Sequence, residues 1–329
     1  MSYLYVGFWV SDINKYTMLR ELFARNKNII INTDIDGFLC GAILQKYYGC
    51  RIVGFSNSRE TIWVSPEIDD IYKPCYIDLY VNRPDVVCIE QHIISFNARH
   101  HKRILGYRTK INPNLERERT FVGDMQSDYY HKYPFGTVHY LMALMAREGV
   151  QVELPALGRT HTYKGASCTV GHLILRADDA LYSTLSPYRD NALDWWLWLE
   201  QSGSVAVSQL KGYVDSCDIN KARDYKSSVA GFFKAFGCNG TDGEFNNITD
   251  DAGNILEKVQ VYSKEVGFMI GMELGIPAKY TIHKGVYGTS SCRRNSCTDI
   301  LESDRLYSYA FIYGPNSQKE NFSYTVDMK

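Results

Sequence analysis

The chain has 329 residues, of which 45% are apolar and 22% are charged, values typical of a globular protein large enough for two domains. The formal net charge of −1 excludes an overall positive field that would draw the chain to nucleic acid or to an anionic membrane. No stretch has the apolar length needed to span a bilayer, and residues 1–12 lack the features of a signal peptide. We therefore expect a cytoplasmic protein with no membrane partner, whose nine cysteines are reduced.

The first clear elements are a strand and a helix that flank two aspartates. Three consecutive isoleucines, residues 29–31, indicate a strand buried on both faces. Asp34 and Asp36 follow it, Gly37 comes next, and apolar residues at helical spacing then predict a helix. Sites in open α/β sheets form at the carboxyl ends of strands, and two carboxylates placed there repel each other unless a cation lies between them. Oxygen ligands of this kind favour Mg²⁺ or Mn²⁺.

The next strands also end in polar side chains. Residues 51–55 predict a second strand, and the resulting βαβ unit implies a parallel sheet. Of two further short apolar strands, one ends at Asp78 and the other runs into Glu90, Gln91 and His92. If these strand ends lie together, they form a metal-sized cluster of oxygens and one imidazole. The 12 positions from Asp78 to Glu90 are too few for a helical crossover between parallel strands.

This order of motifs resembles that of the DHH phosphoesterases, a family that includes RecJ-type exonucleases, oligoribonucleases, cyclic-dinucleotide phosphodiesterases and some polyphosphatases. The first family motif, H-x-D-x-D-G, corresponds to residues 32–37, and the second, an aspartate after an apolar strand, corresponds to Asp78. The Asp-His-His signature corresponds to residues 90–92. A fourth family aspartate corresponds to Asp178 or Asp179.

The resemblance implies an α/β protein in three parts: a parallel-sheet DHH-like domain in residues 1–200, a helical linker in residues 201–275 and a smaller α/β substrate-binding domain in residues 276–329. It further implies two Mn²⁺ or Mg²⁺ ions, and a nucleotide or short oligonucleotide that is hydrolysed in the cleft between the domains. The residues that match catalytic positions are Asp34, Asp36, Asp78 and His92, and the candidate metal ligands are these four with Asp178 and Asp179. The candidate substrate-binding residues are Asn32, Ser291, Arg293 and Arg294, of which the arginines suit bidentate contact with a phosphate.

Departures from the family pattern leave alternatives open. Asn32 stands in place of the first-motif histidine, and Glu90 and Gln91 replace the first two residues of the signature. One alternative is therefore a catalytically degenerate DHH fold that senses or sequesters a nucleotide. Another is a haloacid-dehalogenase-type phosphatase, in which Asp34 would be the nucleophile and Asp36 the acid/base. The near-neutral charge favours short oligonucleotides, cyclic dinucleotides or mononucleotides over long duplex nucleic acid.

Overall fold

A computed structural model of the chain describes residues 19–122, 128–186, 189–292, 295–313 and 320–329. These residues form a mixed α/β fold with twelve α-helices and a mostly parallel central sheet. The α/β class expected from the sequence is thereby confirmed. Within the same residues, none of the helices combines the length and the apolarity that crossing a bilayer requires.

The strands and helices are defined here by their bounds. The strands are β1 (Asn28–Asn32), β2 (Arg51–Ser56), β3 (Thr61–Val64), β4 (Cys75–Ile77), β5 (Cys88–Ile89), β6 (Lys110–Ile111), β7 (Thr160–Tyr163), β8 (Ala166–Thr169), β9 (Thr281–Lys284), β10 (Val286–Ser291), β11 (Leu306–Tyr313) and β12 (Glu320–Val326). The helices are α1 (Leu19–Arg25), α2 (Ile35–Tyr48), α3 (Ala98–Leu105), α4 (Pro113–Glu116), α5 (Thr137–Arg147), α6 (Val170–Ile174), α7 (Ala180–Leu185), α8 (Arg189–Glu200), α9 (Val205–Asp215), α10 (Ala222–Ala235), α11 (Glu257–Ile270) and α12 (Asn295–Leu301).

The central sheet has seven strands in the order β6-β5-β4-β1-β2-β3-β9. Strands β1, β2, β4, β5 and β6 pair in parallel, whereas β3 and β9 join antiparallel at one edge. The chain leaves β1 toward β2 on one side and later returns to β4 on the other side. The space beyond the carboxyl ends of β1 and β4 is therefore a topological switch point, where open α/β sheets bind ligands.

The unit of β1 and α2 forms the centre of the core. The three isoleucines of β1 are fully buried, and α2 is apolar on nearly all sides because it lies inside the protein. A β-carbon on Gly37 would lie 2.3 Å from the carbonyl oxygen of Asn32, so only glycine permits the first turn of α2 to pass this close to the strand.

The connection from β4 to β5 is shorter than the crossover rule predicts. The two strands are parallel neighbours, although residues 78–87 contain no helix. The 12 positions from Asp78 to Glu90 correctly predicted that no helix joins the two strands. The strands nevertheless pair in parallel. The buried Lys110 holds this loop, because its ammonium group donates to the carbonyl oxygens of Val81 (2.9 Å), Arg83 (2.8 Å) and Val86 (2.6 Å).

The carboxy-terminal segment contributes to two sheets. Strand β9, within the segment expected to form a substrate-binding domain, is the edge strand of the central sheet. Strands β10, β12 and β11 form a separate antiparallel sheet. Its aromatic residues pack against residues that follow the central strands, with Tyr309 contacting Tyr80 and the backbone N–H of Phe311 donating to the carbonyl of Ile93 (3.1 Å). The small sheet therefore covers part of the carboxyl edge of the central sheet.

Candidate metal centre

Three carboxylates from separate segments meet at the switch point. Asp36 lies in the first turn of α2, Asp78 directly follows β4, and Asp178 lies in a 3-10 helix, Ala177–Asp179. One oxygen from each lies within 4.8 Å of the others. Asp36 and Asp78 are each 2% exposed, whereas Asp178 is solvent-exposed, so the group opens to solvent on that side. This geometry brings together three of the six residues that the sequence suggested as metal ligands.

Two of the three clustered aspartates have an unusual backbone conformation. Asp78 has a φ of 60° and Asp178 a φ of 49°, both in the left-handed region, and Asp179 follows at 57°. Non-glycine residues rarely adopt this conformation, although aspartate tolerates it better than most. Residues held in sparsely populated conformations cluster at functional sites, where the surrounding structure maintains them. The left-handed conformation of Asp78 and Asp178 therefore marks this cluster as a candidate functional site.

The amino terminus of α5 also contacts the carboxylates. The backbone N–H groups of Thr137 and Val138 donate to the two oxygens of Asp36 at 2.6 and 2.8 Å. The Thr137 hydroxyl donates to Asp78 at 2.7 Å. A β-carbon on Gly136 would lie 2.6 Å from the β-carbon of Ala177, so glycine is needed for α5 to approach this closely. The partial positive charge of the helix end therefore stabilises Asp36 in its charged form.

Asp34 lies beside the three-carboxylate group. One of its oxygens accepts a hydrogen bond from the backbone N–H of Gly37 (3.0 Å) and thereby caps α2. The other accepts from the side-chain amide of Asn32 (2.8 Å), which also donates to Asp78 (3.1 Å). Asn32, suggested as a substrate-binding residue, thus connects two aspartates.

Asp178 and Asp179 point to different partners. Asp178 accepts a hydrogen bond from the side-chain amide of Gln91 at 2.7 Å and belongs to the three-carboxylate group. Asp179 instead forms ion pairs with Arg176 and Lys226. Of the two aspartates that the sequence left as alternatives, the geometry brings Asp178 into the cluster.

His92 is held by the acidic residue two positions before it. Both the backbone N–H of His92 and its Nδ1 face the same carboxylate oxygen of Glu90, at 2.6 and 3.2 Å. Glu90 is buried and also accepts a hydrogen bond from Asn112. Burial lowers the pKa of His92, but the hydrogen bond and charge of Glu90, together with the charges of Asp78 and Asp178, raise it to about 9. The acidic surroundings therefore favour the protonated imidazole.

The pKa values of all the clustered carboxylates are raised. Burial is the largest cause for Asp34, Asp36 and Asp78, and the negative charges of neighbouring aspartates add to it. The pKa of Asp178 is also raised, and the charges of Asp242 and Asp179 contribute to this shift. His92 opposes the effect at Asp78 and Asp178. A buried set of like charges is the environment in which a divalent cation lowers the energy of the charged form. The donor set is all oxygen, so the residues present fit Mg²⁺ or Mn²⁺.

A narrow cleft connects the cluster with the small sheet. Its volume is about 60 Å³, and Asp78 and His92 line one side. Residues of β11 and β12, including Tyr307, Tyr309 and Thr325, line the other side. None of the remaining candidate substrate-binding residues is among the described residues that line this cleft. Ser291 ends β10 and pairs with Asn321 of β12, and Arg293 and Arg294 lie outside the described residues.

Sequence reasoning missed two residues that act on the cluster. Thr137 begins α5 directly after Gly136, and this Gly-Thr pair is the signal in the sequence that could have indicated it. Asp242 lies in residues 238–245, whose glycines and asparagine are typical of a loop. Its carbonyl accepts a hydrogen bond from the backbone N–H of Ile35 (2.9 Å), and its charge contributes to the raised pKa of Asp34. No pattern within the segment indicates this position.

Comparisons with known proteins give no match: no family model, no curated protein and no solved structure is significantly similar to the chain. The interpretation of the site therefore depends on its own geometry.

Proposed function

We propose that the chain is a metal-dependent phosphoesterase of the DHH type, which hydrolyses a phosphodiester of a short oligonucleotide or a cyclic or linear nucleotide. The observation that carries this proposal is the meeting of Asp36, Asp78 and Asp178 at the switch point of a parallel sheet. Three oxygens within 4.8 Å of one another, two of them from buried carboxylates, form a site for a hard divalent cation.

The residues around the cluster have separate roles in this proposal. Asp36, Asp78 and Asp178 hold the cation, and the amino terminus of α5 orients Asp36. A bound divalent cation supplies charge neutralisation at the phosphorus centre and activation of water. His92 lines the cleft with Asp78, and the hydrogen bond and charge of Glu90 raise the pKa of its imidazole, so in this proposal it neutralises phosphate charge or protonates the leaving oxygen. Glu90 fixes the orientation of the His92 ring.

The proposal is tested by turnover of a substrate panel with added Mn²⁺ and with EDTA. The panel contains short single-stranded RNA and DNA, cyclic dinucleotides, a 3′,5′-bisphosphate nucleotide and pyrophosphate. Metal-dependent product release from RNA, DNA or a cyclic dinucleotide supports the proposal and names the substrate. Release only from the bisphosphate nucleotide or from pyrophosphate would contradict phosphodiester hydrolysis.

The variant Asp78→Asn removes one charged ligand from the cluster. We expect it to lose Mn²⁺ binding and at least about 100-fold of the turnover while the chain remains folded, since charge stabilisation is usually the largest catalytic term. Asp85→Asn is the matched control, because Asp85 lies near the other end of the same loop, is exposed and pairs with Arg83. Wild-type turnover by Asp78→Asn would contradict the proposal.

One observation favours a second candidate, a nucleotide-binding protein without turnover. The amides of Asn32 and Gln91 donate hydrogen bonds to the aspartates, so the charges are partly compensated by the chain itself. Tight nucleotide binding without product release in the same panel would favour this candidate. An aspartyl-phosphate on Asp34, trapped with a fluoride analogue, would favour the haloacid-dehalogenase type instead.

A further inference from the structure

The side chain of Asn32 occupies the space between two aspartates. Asn32 is 6% exposed and lies at the end of β1. Its amide nitrogen donates to Asp34 at 2.8 Å and to Asp78 at 3.1 Å. A primary amide carries two N–H donors, so both are used, one for each carboxylate.

The hydrogen-bond network fixes the orientation of this amide. The Asn32 carbonyl oxygen accepts the backbone N–H of Thr33 at 2.8 Å. The opposite orientation would place the amide N–H groups against that N–H and the carbonyl oxygen against two carboxylates. Both changes replace attraction by repulsion in a buried setting, where unpaired polar groups are most costly. Asn32 therefore presents donors to the aspartates.

A donor in this position competes with a cation. An ion in the place that the Asn32 amide occupies would contact the same two oxygens of Asp34 and Asp78, and the N–H groups repel a cation there. The other oxygen of Asp34 caps α2, and Asp34 lies outside the three-carboxylate group. Asp78, in contrast, uses its second oxygen only to accept from the Thr137 hydroxyl, and it lies within the group formed with Asp36 and Asp178.

We propose that this chain holds one divalent cation, at Asp36, Asp78 and Asp178, and that the amide of Asn32 takes the place of a second cation between Asp34 and Asp78. This inference rests on the metal centre of the proposed function. It assigns one ion to the chain, whereas the family resemblance implies two. A fixed amide compensates the charges of Asp34 and Asp78 without a second metal.

The test counts Mn²⁺ ions per chain and examines their magnetic coupling. Isothermal titration and native mass spectrometry of the full chain with Mn²⁺ alone are expected to give one ion per chain. Electron paramagnetic resonance is expected to show an isolated six-line signal. Two ions, or the spectrum of a coupled pair, in the wild-type chain would overturn the proposal, and so would the absence of any bound ion.

The variant Asn32→Asp replaces the two donors by a carboxylate of the same shape. We expect it to bind two ions as a coupled pair, and a variant that folds and still binds one ion would overturn the role given to Asn32. Asn57→Asp is the matched control at the end of the neighbouring strand. Asn57 is 4% exposed, and its side-chain oxygen accepts the backbone N–H groups of Arg59 and Thr61. This control is expected to bind one ion.

The inference and the proposed function fail in different ways. A wild-type chain that binds two ions and hydrolyses a panel member overturns the inference and leaves the proposed function intact. A chain that binds one ion and turns over no panel member supports the inference and contradicts the proposed function. If Asn32→Asp does not fold, the ion count and spectrum of the wild-type chain still decide the question.

Discussion

At the scale of single residues, the site brings together aspartates whose negative charges repel one another. Burial and mutual repulsion raise the pKa values of Asp36 and Asp78, so the charged forms destabilise the metal-free fold. The chain offsets this cost with donors: the amino terminus of α5, the Thr137 hydroxyl and the Asn32 amide. These donors compensate part of the carboxylate charge, and the three carboxylates remain a group that could hold a metal ion.

The adjacent residues Asp178 and Asp179 provide a paired test of the cluster. Asp178→Asn removes a carboxylate from the three-oxygen group, so we expect Mn²⁺ affinity to fall by at least about tenfold, or 1.4 kcal/mol. Asp179→Asn leaves the group complete and removes only the charge that pairs with Arg176 and Lys226. Its Mn²⁺ affinity should therefore remain within about twofold of the wild type, although some stability is lost. Titration calorimetry measures both, and equal losses of affinity would show that the cluster is assigned incorrectly.

At the scale of elements, the loop between β4 and β5 determines where Asp78 lies. No helix connects these two parallel strands. Instead, the ammonium group of Lys110 donates hydrogen bonds to three carbonyl groups of the loop, which would otherwise lack these donors. Asp78 then turns the chain with its left-handed backbone at the start of the loop. Fold and site thus depend on the same short connection.

We predict that Lys110→Met destabilises the protein by about 3 kcal/mol or more, because it leaves buried carbonyl groups without donors. Chemical denaturation of the metal-free chain measures this loss. Lys73→Met is the matched control, since Lys73 is exposed and pairs with Asp69, and it should change the free energy of unfolding by no more than about 0.5 kcal/mol. A loss at Lys110 no larger than that of the control would contradict the role of the ammonium group.

The sequence predicts the local parts of this architecture better than their assembly. The isoleucines of β1, the D-x-D-G turn and the apolar run before Asp78 predict a parallel sheet with carboxylates at its edge, because strand period and turn residues are encoded locally. The contacts of Thr137 with Asp36 and Asp78, and the approach of Asp242 to Asp34, join residues far apart in the chain. Such contacts follow from tertiary packing, which no short pattern records.

At the scale of the whole molecule, the small antiparallel sheet is held against the central sheet by a polar contact within an aromatic cluster. Tyr309 of β11 donates its hydroxyl to the carbonyl of Ile94 (2.9 Å) and lies 3.3 Å from Nε2 of His100 in α3. The other ring nitrogen of His100 accepts the backbone N–H of Phe96 at 3.1 Å. Because Nδ1 accepts the Phe96 N–H, the imidazole is neutral and carries its proton on Nε2, which faces the Tyr309 hydroxyl.

This contact predicts a pH dependence of stability. Burial, and then the charges of Arg103 and His101, lower the pKa of His100 from 6.5 to about 4. Between these values the unfolded chain binds a proton that the folded chain excludes. The contribution of His100 is therefore complete above pH 6.5 and is lost as the pH falls toward 4, by roughly 3 kcal/mol in total.

We predict that His100→Asn, which retains an acceptor for Phe96, removes this part of the pH dependence. The free energy of unfolding, measured in EDTA by chemical denaturation from pH 7 to pH 4, should differ most between wild type and variant at pH 7 and converge toward pH 4. Contributions from the clustered aspartates and from His139, whose pKa burial also lowers to about 4, are common to both proteins and cancel in the difference. Tyr309→Phe retains the buried imidazole and should keep most of the wild-type slope, because burial is the main cause of the lowered pKa. Parallel curves for wild type and His100→Asn would contradict a contribution of His100 protonation to the acid sensitivity of the fold. Convergence toward pH 4 would identify this histidine as one of the groups through which acid destabilises the protein.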